Sequence, residues 1–130
     1  MDAFLATLDW DNSHQAFNSP WLQLYSDMGN LAAAGYYPPD ELRVARGHLV
    51  AVHVKDAQPG VVRGVPFGEG IVPFPETFKA LAEIGFWGPL TVEMWAQMDE
   101  TGDPLATVIA ARELVDRLLI ETWGSQLSRR

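Results

Sequence analysis

Apolar, β-branched runs alternate with amphipathic segments along this chain. "SPWLQLYSD" (19–27) follows the pattern of a short strand, and "MGN" after it is a turn signal. "PPDELRVARG" (38–47) carries prolines first, acidic residues early, arginines late and a closing glycine, the marks of a short helix. "LVAVHVKD" (49–56) predicts a second strand, and the glycine- and proline-rich "QPGVVRGVPFGEGIVPF" (58–74) a long loop suited to binding. "PETFKALAEIG" (75–85) predicts a helix stopped by Gly85, and "GPLTVEMWA" (88–96) a third strand. Asp103 before Pro104 predicts the cap of a last helix in which Leu105, Val108, Ile109, Val115, Leu118, Leu119 and Trp123 recur at helical spacing. Strands and helices in this alternation predict parallel strands joined by crossover helices.

The two-residue period of a strand sorts its side chains into faces. Leu22 and Leu24 oppose Gln23, Tyr25 and Asp27; Val50, Val52 and Val54 oppose Ala51, His53 and Lys55; Leu90, Val92 and Met94 oppose Thr91, Glu93 and Trp95. Each strand therefore has an aliphatic face suited to lying under helices, and a mixed face that turns polar toward its C-terminal end. A doubly wound sheet would favour aliphatic residues on both faces. A barrel, with helices outside and chemistry at the upper end of its lumen, fits the asymmetry better.

With 9 Lys+Arg against 17 Asp+Glu, the formal net charge of −8 disfavours nucleic acid and anionic lipid. The expected partner is a small molecule or a protein. No apolar run has the length of a membrane span and the N-terminus has no signal-peptide pattern, so a cytoplasmic location is expected. Zero cysteines exclude disulfides and thiolate metal sites.

Asp27, His53 and Glu93 fall at equivalent places on neighbouring strands, about one βα unit apart in sequence. Each alone has a structural explanation: an aspartate ending a strand caps or turns, and a lone strand histidine is commonly a hydrogen-bonded framework residue. Together they make a hard nitrogen and oxygen donor set for a divalent ion. Trp10, Trp21, Trp87 and Trp123 read as packing residues, with Trp95 near the mouth by its parity with Glu93. His14 reads as a surface residue and His48 as structural, at the lower end of its strand. No Ser/His/Asp order, Walker loop or dinucleotide glycine fingerprint occurs.

The ordered motifs "SPWLQLYSDMGNL", "GHLVAVHVKDAQPGVVRGVPFGEGIV" and "GPLTVEMW" resemble the C-terminal half of the L-ribulose-5-phosphate 3-epimerases. These enzymes, also called L-xylulose-5-phosphate 3-epimerases or hexulose-6-phosphate isomerases, belong to the xylose-isomerase-like barrel superfamily. The resemblance implies a (β/α)₈ barrel holding one divalent metal, Mn²⁺ first, with Zn²⁺, Co²⁺ or Mg²⁺ as alternatives. Its ligands would be two glutamates, an aspartate and a histidine, of which Asp27, His53 and Glu93 match three. In such enzymes the ion acidifies the C3 proton of a ketopentose phosphate, and two glutamates on opposite faces remove and return a proton to invert C3. Glu93 would be the catalytic member present here. Asn30 falls where the superfamily places a substrate contact, and Lys55 and Arg63 are the candidates for substrate oxygens or phosphate. Glu69 reads as loop structure.

The fold expected is α/β: residues 1–130 as the C-terminal portion of a barrel, its last three βα units preceded by one helix over residues 2–17. By the family pattern the other catalytic glutamate would lie just upstream of Met1. The expected function is C3 epimerisation of L-ribulose 5-phosphate to L-xylulose 5-phosphate, inactive or impaired in this chain alone. The alternative is a noncatalytic barrel fragment or assembly module keeping a partial metal site. Either way the unpaired sheet edges predict a homo-oligomer or association with another chain. An endonuclease IV-like metal cluster would need further histidines that the sequence does not supply.

Overall fold

The structure, a computed structural model, describes residue 21 and residues 23–127. The helix expected over residues 2–17, with Trp10 and His14, lies outside the described residues, as does Leu22. In chain order the elements are β1 (Leu24–Asp27), α1 (Met28–Ala33), α2 (Pro38–Val44), β2 (Leu49–Val54), α3 (Phe74–Glu83), β3 (Leu90–Val92), a 3₁₀ turn (Ala96–Met98) and α4 (Pro104–Leu127). The three strands are parallel and lie in sequence order, β1-β2-β3. Consecutive order with a helical crossover at each step is the arrangement of a barrel wall.

The aliphatic parity directs the core. Val52 and Val54 are fully buried, in one cluster with Met28, Leu42, Phe78, Leu81 and Trp123 from the helices. Full burial of each such side chain contributes about 1.5–3 kcal/mol relative to exposure. The Phe78 and Trp123 rings meet edge to face at 6.1 Å and join α3 to α4. Arg43 joins α2 to α3 through a 3.0 Å ion pair with Glu83.

Three sequence expectations are corrected. "MGN" opens a helix, α1, rather than a turn, because Asp27 is its N-cap and accepts the Asn30 amide N–H at 2.9 Å. The third strand ends at Val92, so Glu93 and Trp95 stand just beyond it, although Glu93 N–H still donates to the Val54 carbonyl at 3.0 Å. Trp21 and Trp87, read as packing residues, are 93% and 56% exposed, while Trp123 is buried as expected. The stop of α3 and the cap of α4 hold. Gly85 at φ 69° ends α3, with Phe86 N–H reaching the Leu81 carbonyl, and Asp103 Oδ1 accepts the Ala106 N–H of α4 at 3.0 Å.

Residues 57–72 form a loop that one side chain organises. The buried Asp56 carboxylate accepts four backbone N–H groups: Ala57 and Val72 at Oδ1, at 2.9 and 3.2 Å, and Gly68 and Gly70 at Oδ2, at 2.8 and 2.9 Å. A Cβ on Gly70 would collide with Asp56 Oδ1 and the Ala57 carbonyl, so only glycine lets the backbone come this close. Replacing Asp56 by alanine is expected to destabilise the protein by about 3 kcal/mol or more, since donors satisfied by a charged acceptor lose it together. Urea denaturation measures the loss, and faster amide exchange at Gly68 and Gly70 localises it.

Candidate metal centre

The register of the sheet brings the polar strand ends together. Asp27 pairs with His53 across β1 and β2, and His53 with Thr91 across β2 and β3, which sets Glu93 one step higher. One ligand atom from each of Asp27, His53 and Glu93 lies within 4.8 Å of the other two. His53 Nδ1 is 3.2 Å from Glu93 Oε2 and 3.6 Å from Asp27 Oδ2. Beneath them the Tyr25 ring packs on the His53 imidazole with centroids 4.3 Å apart, and its hydroxyl donates to Thr91 Oγ1 at 2.9 Å. Tyr25 thus forms a floor that ties β1 to β3.

Lys55 lies in the middle of this cluster. Its side chain is almost wholly buried, with Nζ 2.9 Å from Asp27 Oδ2 and 3.4 Å from Glu93 Oε1. The Trp95 indole N–H also donates to Glu93 Oε1, at 3.2 Å. Arg63 comes from the Asp56-anchored loop to lie over the Trp95 ring, its Cζ 4.3 Å from the centroid. Lys55, Arg63, Glu69, Glu93 and Trp95 line one cleft of about 210 Å³. Asn30 sits in the first turn of α1, and its Oδ1 is buried with no hydrogen-bond partner among the described residues.

The donors suit a divalent ion. Two carboxylates and an imidazole are hard and borderline ligands of the kind Mn²⁺ and Zn²⁺ accept. Asn30, whose backbone N–H donates to Asp27, carries a further oxygen, Oδ1, whose burial costs free energy while it goes unpartnered among the described residues.

A family model described as xylose isomerase-like TIM barrel matches residues 9–118. The chain belongs to the xylose isomerase-like TIM barrel family. It is 50% identical over 99 residues to the L-ribulose-5-phosphate 3-epimerase UlaE of Escherichia coli, a match that covers 76% of this chain and 34% of that protein. The corresponding protein of Shigella sonnei is 50% identical over 98 residues, again at 34% of its length. The chain therefore spans about a third of the curated relatives it matches. Among solved structures, a xylose isomerase domain protein from Planctomyces limnophilus superposes with a TM-score of 0.70 at 28% identity, covering 88% of this chain and 44% of that one. A structure of L-ribulose 3-epimerase shares the fold at 19% identity with a TM-score of 0.66, covering 89% of this chain and 42% of that one.

Of the residues singled out in the sequence, Asp27, His53, Glu93 and Lys55 form one cluster, Asn30 donates its backbone N–H to Asp27, and Arg63 reaches the rim. The role of Asp56 was missed. Its only signal was an acidic residue closing an apolar strand ahead of a glycine-rich loop.

The path of Lys55 depends on Gly29, where a Cβ would lie 2.5 Å from Lys55 Cγ and 3.0 Å from its carbonyl oxygen. Gly29→Ala is therefore expected to destabilise the protein by about 1–3 kcal/mol, overpacking outweighing the better helix propensity of alanine. Thermal or urea unfolding checks the sign; an unchanged or raised stability would contradict this packing.

Proposed function

We propose that this chain carries the metal-binding part of a sugar-phosphate 3-epimerase site, with L-ribulose 5-phosphate and L-xylulose 5-phosphate as the interconverted pair. The observation that carries the reading is the convergence of Asp27, His53 and Glu93 at the upper ends of three adjacent parallel strands. Half-identity to an epimerase over most of the chain supports it.

In this reading Asp27, His53 and Glu93 hold one divalent ion, Mn²⁺ first, and Zn²⁺, Co²⁺ or Mg²⁺ as alternatives. When bound, the ion would supply Lewis-acid stabilisation of the negative charge that builds on the sugar oxygens. Glu93 exchanges a proton with C3 on one face. Trp95 fixes its Oε1 by hydrogen bonding, which holds the carboxylate toward the cleft. Asn30 offers its Oδ1, unpartnered among the described residues, to a substrate hydroxyl, and Arg63 and Lys55 offer positive charge to sugar or phosphate oxygens.

Inversion at C3 needs a base on one face and an acid on the other, and the described lumen face offers Glu93 alone at a position suited to proton transfer. A positioned acid or base is worth about 10²–10⁴-fold, so the chain by itself is expected to have little or no epimerase activity. Incubation with L-ribulose 5-phosphate and Mn²⁺ in deuterated water reads this directly. Exchange of the C3 proton without L-xylulose 5-phosphate is the expected outcome, lost in Glu93→Gln. Efficient epimerisation would show that a second carboxylate completes the site, and no exchange at all would favour a noncatalytic fragment or assembly module.

The metal reading has its own test. Water-proton relaxation is expected to report weak Mn²⁺ binding by the wild type, and at least tenfold weaker binding by His53→Ala. Equal binding by both would remove the site.

Association with a second copy or another chain belongs to the same reading, because β1 and β3 are both edge strands among the described residues. Leu105, Val108 and Ile109, part of the helical spacing of α4, are exposed, and Val108 and Ile109 lie in a groove along β3. Sedimentation is expected to show oligomers; a stable monomer with slow amide exchange in β1 and β3 would contradict it. No helix among the described residues is long and apolar enough to cross a membrane.

A further inference from the structure

We propose that Lys55 is the resident counter-cation of this site, opposing a divalent metal by pairing with the two carboxylates that would ligate it. The inference rests on reading Asp27, His53 and Glu93 as a metal site, and it assigns Lys55 a part in setting how tightly that site binds.

The geometry leaves Asp27 little choice. Its Oδ1 is committed to the Asn30 amide at the start of α1, so Oδ2 is the oxygen left for a ligand, and Lys55 Nζ is 2.9 Å from it. Glu93 divides in a similar way. Oε2 faces His53 at 3.2 Å, while Oε1 receives Trp95 at 3.2 Å and lies 3.4 Å from Lys55 Nζ. The ammonium therefore bridges the two carboxylates, sharing Asp27 Oδ2 with the imidazole and taking the Glu93 oxygen that the imidazole does not face.

Its position is built into the fold. The Lys55 side chain is 7% exposed, and it runs past Gly29, where any side chain would collide with its Cγ. A lysine is rarely buried unless paired. Without it the carboxylates of Asp27 and Glu93 would face one another uncompensated. A divalent ion bound to the same two carboxylates would in turn feel an ammonium within a few ångströms, next to the buried Asp27 where solvent screens least. The two cations satisfy the same charge demand, so removing one should strengthen the other's hold.

Mn²⁺ titrations followed by water-proton relaxation and electron paramagnetic resonance test this on the full chain and on Lys55→Met, Lys55→Gln and Lys55→Arg. The two neutral variants are expected to bind Mn²⁺ about tenfold more tightly than the wild type, and Lys55→Arg, which keeps the charge, to stay near the wild type. Circular dichroism follows folding in the same samples. Neutral variants that fold only when Mn²⁺ is added would also support the proposal, since the metal then takes over the charge that the lysine supplied. Neutral variants that bind no more tightly than the wild type, or stay unfolded with Mn²⁺ present, would overturn it while leaving the metal site standing if the wild type binds. Absence of Mn²⁺ binding in the wild type and in every folded variant would overturn the metal reading, and the proposal with it.

Discussion

The parallel register of β1, β2 and β3 is the constraint on which the rest depends. Side chains alternate faces every residue, so Asp27, His53 and Glu93 converge only while Asp27 pairs with His53 and Val54 with Val92. A one-residue slip of β2 would bury His53 among the helices and turn Val52 and Val54 toward the polar face. The register is held from below as well as above. Val52 and Val54 are fixed by the helical core, and Tyr25 spans β2 to reach Thr91 on the polar side. Core packing and site geometry are thus one constraint seen from the two faces of the same sheet.

Four consecutive residues at the end of β2 divide the work between them. His53 faces the carboxylates, Val54 is buried in the core, Lys55 supplies charge to Asp27 and Glu93, and Asp56 gathers the following loop. The alternation of the strand carries through Lys55. Asp56 then departs from purely aliphatic burial, and it can do so because backbone N–H groups replace the water its carboxylate loses. The cost of burying a charge is offset by making that charge the organiser of a segment with few apolar anchors of its own.

Much of this was legible in the sequence because it rests on periodicity. The aliphatic parity of β2 and the helical spacing of Val115, Leu118 and Trp123 located buried residues, and the polar parity located the cluster. What escaped was contingent on three-dimensional pairing. "MGN" carries turn residues, but an aspartate in front of it can cap a helix, and local composition does not choose between the two. Trp21 and Trp87 are apolar by type, and only the finished arrangement shows them exposed. Val50, on the aliphatic face by parity, is 50% exposed because it lies near the lower end of its strand, away from the fully buried Val52 and Val54. The ion pairs of Lys55 needed both the register and the space at Gly29, neither of which is written in "HVKD" alone.

The loop and the cluster are mechanically connected, although they use different side chains. Asp56 fixes the loop to the end of β2, the loop carries Arg63 to the face of Trp95, and Trp95 donates to Glu93. The path therefore leaves β2, crosses over the cleft and returns just beyond β3. Of its links, the Asp56 carboxylate with four N–H partners is buried and charge-assisted, whereas the stack of Arg63 on Trp95 is exposed and worth about 0.5–1 kcal/mol. Stiffness is therefore concentrated where the loop leaves the sheet, and compliance where it meets the cleft. A ligand anion that drew Arg63 off the indole would meet only that weaker contact, and would leave the anchored base of the loop and the strand register undisturbed.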